Sequence, residues 1–74
     1  MTRAAFERMT RRQLEVLDTL VRGLTAKEAA RELGISPKTI ECHIGVIFAA
    51  LGVNRRAHVI RLYYEAGLGA GEIT

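Results

Sequence analysis

Helix-start and helix-stop signals constrain the fold of this chain more than any other feature of its sequence. Residues 10–13 read T-R-R-Q and residues 25–28 read T-A-K-E. Both are capping boxes, in which a threonine hydroxyl and a glutamine or glutamate side chain each accept a backbone N–H of the other residue. Ser36 and Pro37 add a serine cap before a proline at the first helical position.

Glycines supply the matching stops, because glycine adopts the left-handed backbone that ends many helices at no steric cost. We predict four helices that begin at the capping residues 10, 25, 36 and 54 and end before the glycines at 23, 34, 52 and 67. The first should carry its apolar residues on one broad side: Leu14, Val16, Leu17, Leu20 and Val21.

The predicted fold class is all-α, because the β-branched residues recur at helical spacing and not in alternation. We expect a flexible N-terminal segment over residues 1–8, a folded domain over residues 9–68 and a flexible tail over residues 69–74. A chain of 74 residues makes one small domain and buries only about 60% of its unfolded surface.

The single cysteine, Cys42, excludes an internal disulfide and favours a reducing compartment. The sequence has neither a signal peptide nor a run of about 20 apolar residues. We therefore predict a cytoplasmic protein with no membrane partner. A net charge of +3 and a pI near 9.6 permit nucleic-acid binding without requiring it.

The connection between the second and third predicted helices is only three residues long, residues 34–36. Two helices joined this tightly must meet at a steep angle, which is the helix-turn-helix geometry. The small side chain of Ala30 allows close approach, and Leu33, Ile35, Ile40 and Ile44 would fill the space between the helices. An ordinary helical hairpin with the same packing is the alternative on these residues alone.

Four stretches in register resemble the LuxR-type, or GerE-type, helix-turn-helix domain of bacterial transcription regulators. They are MTRRQLEVL at residues 9–17, GLTAKEAARELGIS at 23–36, TIECHIGVI at 39–47 and LGVNRR at 51–56. The resemblance implies a four-helix unit that binds double-stranded DNA through its third helix and often forms a homodimer through its fourth. Family members often carry a ligand-binding or phosphorylation domain ahead of this unit, so we expect either a stand-alone regulator or a piece of a longer one.

The third helix, about residues 37–51, has two different sides at 100° per residue. Its core side should hold Ile40, Ile44, Ile47 and Leu51, flanked by His43 and Phe48. The opposite side should face DNA bases in the major groove: Lys38, Glu41, Cys42, Gly45, Val46 and Ala49. The resembled family usually carries basic or amide side chains there, whereas this side is mostly small and apolar.

Two functions fit this unusual side. In the first, the small residues contact bases while five residues contact the DNA backbone: Lys27, Lys38, Thr39, Arg55 and Arg56. In the second, the strip of Gly45, Val46 and Ala49 packs against a partner protein, and the domain is an adaptor or anti-regulator. We favour DNA binding, because the expected phosphate contacts and the net positive charge are retained.

The remaining polar residues predict neither a metal site nor an enzyme. Zinc needs about four ligands, and His43 and His58 lie fifteen residues apart without an accompanying cysteine or carboxylate pattern. No serine, histidine and carboxylate set has a plausible geometry, and no glycine-rich phosphate loop is present. We predict no cofactor. On the fourth helix, Ile60 and Tyr64 should lie outside the core as a dimerisation surface, or else be ordinary exposed apolar residues.

Overall fold

The structure, a computed structural model, describes residues 2–67, and within them it contains five helices and no strand. The helices are α1 (Thr2–Glu7), α2 (Arg11–Val21), α3 (Ala26–Leu33), α4 (Pro37–Leu51) and α5 (Arg56–Glu65). The predicted all-α class is confirmed, with one helix more than the sequence indicated. The predicted tail, residues 69–74, lies outside the described residues.

Three of the four predicted helix starts are confirmed atom by atom. The Thr10 hydroxyl accepts the Gln13 N–H at 3.1 Å, and the Thr10 N–H donates to the Gln13 side chain at 2.9 Å. Thr25 and Glu28 form the same reciprocal pair at 3.1 and 2.8 Å. The Ser36 hydroxyl accepts the backbone N–H three residues on, also at 3.1 Å. These bonds satisfy N–H groups that a helix leaves without an intrahelical acceptor.

The fourth predicted start was wrong by one residue. Arg55, not Asn54, is the residue that precedes α5, and it makes no side-chain capping bond. Its backbone is extended, with φ −135° and ψ 141°. The first turn of α5 is therefore fixed by tertiary contacts and not by a local cap.

The turn between α3 and α4 forms as its glycine predicts. Gly34 has φ 71°, in the left-handed region, and the Ile35 N–H donates to the Ala30 carbonyl at 3.1 Å. This bond reaches back across the last turn of α3 and satisfies one of its terminal carbonyls. The chain reverses within three residues and enters α4 at Pro37.

Helix α1 occupies residues that we expected to be frayed. Phe6 is only 2% exposed, and its ring meets the Tyr63 ring edge-on at a centroid distance of 6.1 Å. Six residues are too few to form a stable helix alone, so this packing must hold α1 in place. Residues 1–8 contain no capping motif and no apolar period, so the helix was not predicted.

Helix α4 lies at the centre of the fold and contacts α1, α2 and α3, while α5 packs mainly on α2. The buried core takes residues from every helix, and Leu14, expected on the apolar side of α2, is instead 41% exposed. The core residues are Phe6, Met9, Val16, Leu17, Leu20, Ala29, Ala30, Ile40, Ile47 and Val59.

An ionic contact braces α2 against α3. Arg22 directly follows α2, and its guanidinium donates to Asp18 on that helix at 2.9 Å and to both carboxylate oxygens of Glu32 on α3. The hydrogen bond from Arg22 lowers the pKa of Glu32, so the pair stays ionised at neutral pH. All three side chains are solvent-exposed, and the brace adds orientation more than stability.

Replacing Phe6 by alanine tests whether α1 belongs to the folded unit. Because Phe6 is almost fully buried, Phe6→Ala should lower the free energy of unfolding by about 3 kcal/mol in urea titration. Arg8→Ala, at an exposed position close by, is the matched control and should change it by less than about 0.5 kcal/mol. Equal small effects of both substitutions would show that α1 does not contribute to the core.

Candidate nucleic-acid interface

Helices α3 and α4 form the predicted helix-turn-helix. Ala30 is buried where the two helices approach, and Ile40 is fully buried on the α4 side. Leu33, Ile35 and Ile44 are partly buried and pack against the same core. The packing predicted for the space between these helices is confirmed, and it fixes the direction in which the outer side of α4 points.

The two sides of α4 separate as predicted. Ile40 and Ile47 are completely buried, and Ile44 and Leu51 are half-buried against the core. The flanking residues, His43 and Phe48, are also half-buried. All six residues that we expected to face DNA bases are exposed: Lys38, Glu41, Cys42, Gly45, Val46 and Ala49. We call these six residues the outer face of α4.

The outer face of α4 is smooth and nearly uncharged. Val46 is 50% exposed, and a methyl group built at Gly45 would have no heavy atom within 4 Å. Cys42 is a free, exposed thiol. Lys38 and Glu41 carry the only charges of this face, and neither forms an ion pair with the side chains that the structure describes.

Three exposed cations at helix starts have no carboxylate partner among the described side chains. Lys27, Lys38 and Arg55 are exposed and make no ion pair among the described side chains, and each lies at the start of a helix. A cation at a helix start is unfavourable, because the helix dipole is already positive there. These three side-chain charges are therefore not neutralised by an ion pair among the described residues, although the first turn of α3 also contains Glu28.

Other cations are paired within the fold. Arg11 and Arg12 reach Glu15, and Arg61 donates to Glu65 at 2.9 Å. Arg22 is held by the brace between α2 and α3. Three of the remaining cations, Lys27, Lys38 and Arg55, lie at the starts of α3, α4 and α5, and the exposed Arg8 and Arg31 also form no ion pair among the described side chains.

Two further residues were expected to contact the DNA backbone. Thr39 is exposed, and its hydroxyl lies 2.9 Å from the Ser36 hydroxyl in the first turn of α4. Arg56 is different: it is half-buried, and its guanidinium donates to the Leu24 carbonyl in the loop between α2 and α3. The structure gives Arg56 a contact within the fold where the sequence suggested a contact with phosphate.

On α5, the expected inner and outer sides are also distinguishable. Val59 is fully buried, and the other predicted inner residues (Leu62, Tyr63 and Ala66) pack partly against the core. Ile60 is half-buried, whereas Tyr64 is 53% exposed and meets the Tyr63 ring edge-on at 5.5 Å. Ile60 and Tyr64 thus leave apolar surface on the outside of α5.

Among the described side chains, no three His, Cys, Asp or Glu residues are grouped so as to hold a metal ion. His43 is half-buried on α4, and His58 is exposed on α5. Within residues 2–67, no helix is long and apolar enough to cross a membrane.

A helix-turn-helix with an exposed second helix defines a class of DNA-binding domains. The family model for GerE, the bacterial regulatory proteins of the luxR family, matches residues 7–63. The chain therefore belongs to the LuxR family, as the sequence motifs indicated. No solved structure matches the chain with statistical significance.

Similar curated proteins are bacterial regulators. The chain is 35% identical over 57 residues to the transcriptional regulatory protein UhpA of Escherichia coli, covering 77% of this chain and 29% of UhpA. It is 33% identical over 67 residues to the transcriptional regulatory protein FixJ of Rhizobium meliloti, covering 90% of this chain and 33% of FixJ. The spore germination protein GerE of Bacillus subtilis is 42% identical over 52 residues, 70% of either chain.

The chain spans about a third of the length of UhpA and FixJ. The matched part is the LuxR-type DNA-binding domain, so the chain is a DNA-binding transcriptional regulator or the DNA-binding part of one. The alternative of an adaptor that binds a partner protein through α4 is not favoured by these relationships.

Gly45 offers a test of the outer face that needs no ligand. Because it lies inside α4 in open space, Gly45→Ala should raise the free energy of unfolding by about 1 kcal/mol, the usual cost of glycine in a helix. Ala49→Gly, on the same exposed face, is the reverse control and should lower it by a similar amount. A loss of stability in Gly45→Ala would mean that this face is covered by another part of the protein.

Proposed function

We propose that α4 enters the major groove of double-stranded DNA with its outer face towards the bases. One observation carries this proposal: all six residues of that face are exposed, on the side of α4 away from the fully buried Ile40 and Ile47. An exposed second helix of a helix-turn-helix is the element that reads bases in such domains. The family relationship supports the same ligand.

The affinity in this proposal comes from the edges of the interface. Lys27, Lys38 and Arg55 are exposed, unpaired cations at the starts of α3, α4 and α5. Phosphate oxygens would be met there by the side-chain charge, by the backbone N–H groups and by the positive end of each helix. The exposed Thr39 hydroxyl adds a neutral donor to the same edge.

In this proposal, the specificity for particular bases comes from contacts made by small side chains and by Glu41. Cys42, Val46 and Ala49 can touch thymine methyl groups, and Glu41 can accept a hydrogen bond from the N4 amine of cytosine. Gly45 leaves room for the DNA to approach the helix backbone. Without an arginine or amide for bidentate contacts, base discrimination on this face should rest on shape and methyl contacts more than on hydrogen bonds.

We further propose a homodimer through α5. Tyr64 is 53% exposed and Ile60 is half-buried, so the outside of this helix offers apolar surface for a two-fold contact. Such a dimer would place two α4 helices on half-sites about one turn of DNA apart. The arrangement suits a regulator that recognises two-fold symmetric sites.

The proposed setting is the bacterial cytoplasm, with the protein on the nucleoid when bound to DNA. Family members are regulators and not enzymes, so we propose action by binding alone, without catalysis or a cofactor. Whatever signal controls the regulator would act outside this domain, as the one-third coverage of UhpA and FixJ suggests.

The salt dependence of DNA binding tests the proposed phosphate contacts. Each phosphate contact contributes about 0.9 to the slope of log K against log salt concentration. Lys27→Gln and Lys38→Gln should each reduce the slope by about this amount in fluorescence titration against a random-sequence duplex. Arg11→Gln removes a cation that is paired with Glu15, and it should leave the slope nearly unchanged.

Three results would count against the proposed interface. The first is an unchanged slope in both lysine variants. The second is an equal loss in Arg11→Gln. The third is an absence of duplex binding below physiological salt together with a co-purifying partner protein, which would favour the adaptor function instead.

Sedimentation tests the proposed dimer. Tyr64→Glu places a charge on the outside of α5 and should shift the mass of the protein, alone or on a two-half-site duplex, from dimer towards monomer. Tyr64→Phe keeps the ring against Tyr63 and should sediment as the wild type does. If wild type and Tyr64→Glu are monomers under all these conditions, α5 is not a dimerisation surface.

A further inference from the structure

Arg56 makes a side-chain hydrogen bond to a residue that is distant in sequence. Its guanidinium donates to the Leu24 carbonyl, 32 residues earlier. Arg56 is the first residue of α5, and Leu24 directly precedes Thr25, the N-cap of α3. The contact therefore joins the starts of two helices that are distant in sequence.

The surroundings of Arg56 support a fixed position for this side chain. Its Nε atom is buried and has no hydrogen-bond partner, so the inner part of the guanidinium group is enclosed by protein. The guanidinium also lies close enough to Glu28, in the first turn of α3, to contribute to lowering the pKa of that carboxyl, after the larger effects of the Thr25 hydrogen bonds and of Arg31. Arg56 thus faces the start of α3 with a hydrogen bond and with its charge.

The two joined helix starts carry two of the proposed phosphate contacts. Lys27 is the second residue of α3, and Arg55 directly precedes α5. Both side chains are exposed and unpaired among the described residues, in contrast to the half-buried Arg56. Arg55 makes no capping bond that would hold the start of α5 by local means.

We propose that Arg56 is a positioning residue for DNA binding, which sets the spacing between Lys27 and Arg55. It contacts no phosphate; it holds the start of α5 against the loop before α3, so that both exposed cations meet the same DNA backbone. The start of α4 is held independently by Ser36 and Pro37. Lys38 is therefore outside the influence of Arg56.

This inference rests on the proposed phosphate contacts. Double-mutant cycles distinguish a failure of the inference from a failure of those contacts. Binding of the 74-residue chain to a random-sequence duplex is measured by fluorescence anisotropy at low salt. The cycles combine Arg56→Met with Lys27→Gln, with Arg55→Gln and with Lys38→Gln. Methionine keeps an apolar stem of similar length and removes the buried, unpartnered Nε together with the Leu24 bond.

The single lysine and arginine variants should each weaken binding on the order of tenfold at low salt. In the Arg56→Met background, Lys27→Gln and Arg55→Gln should each cost no more than about threefold, because these cations are already misplaced. Lys38→Gln should keep its full tenfold effect in both backgrounds and is the matched control. A general loss of folding would weaken all three effects together, whereas a positioning role spares Lys38.

The inference would be overturned if, in the cycles with Lys27→Gln and Arg55→Gln, each substitution weakened binding by the same factor with and without Arg56→Met. A direct phosphate contact of Arg56, seen as a slope about 0.9 smaller in Arg56→Met with no coupling in the cycles, would also overturn it. If none of the three single variants changes binding, the proposed interface itself fails, and the inference fails with it.

A second variant keeps the test decisive if Arg56→Met does not fold in a thermal melt. Arg56→Lys retains the charge but not the guanidinium geometry. A positioning role predicts that the lysine variant still shows coupling to Lys27 and Arg55 and none to Lys38. A direct phosphate contact predicts nearly wild-type affinity and salt slope, which would exclude the inference.

Discussion

Burial of one side of α4 is the constraint on which the rest of the structure depends. Ile40 and Ile47 are completely enclosed, and the helix contacts α1, α2 and α3. A helix anchored on one side in this way cannot rotate without exposing both isoleucines, at a cost of about 1.5–3 kcal/mol each. The direction of the outer face is therefore fixed by the core, before any DNA is present.

The distribution of charge follows from how the helices are capped and paired. Ion pairs with Glu15, Asp18, Glu32 and Glu65 neutralise cations on α2 and α5. The cations at the starts of α3, α4 and α5 have no such partners among the described residues, although the helix dipole makes their positions unfavourable. In the proposed function, these cations contact the phosphates of DNA.

The domain belongs to the LuxR family, but the outer face of its helix α4 carries little charge. Caps, turn and core follow the LuxR pattern, while the outer face of α4 carries one cation, one anion and four small or apolar residues. In the proposed function, this division separates the two tasks of the interface. Cations at the helix starts supply affinity that depends on salt, and the smooth face supplies contacts that depend on the shape and methyl groups of the DNA.

The sequence by itself determined the elements whose causes are local. Each cap and turn involves residues within five positions of one another: the capping pairs of Thr10 and Thr25, the Ser36 cap and the Gly34 turn. The local sequence therefore predicts α2, α3, α4 and the bend between α3 and α4. The period of α4 also sufficed to separate its buried isoleucines from its exposed outer face.

The tertiary structure decided everything that depends on distant partners. Helix α1 exists because Phe6 packs against Tyr63, 57 positions later, and no local signal could show this. The role of Arg56 was hidden for the same reason: the sequence places it beside Arg55 as a second exposed cation, whereas the fold brings the Leu24 carbonyl within its reach. Hydrogen bonds between neighbouring residues can be predicted from the local sequence. Contacts between remote residues form only once the helices have packed.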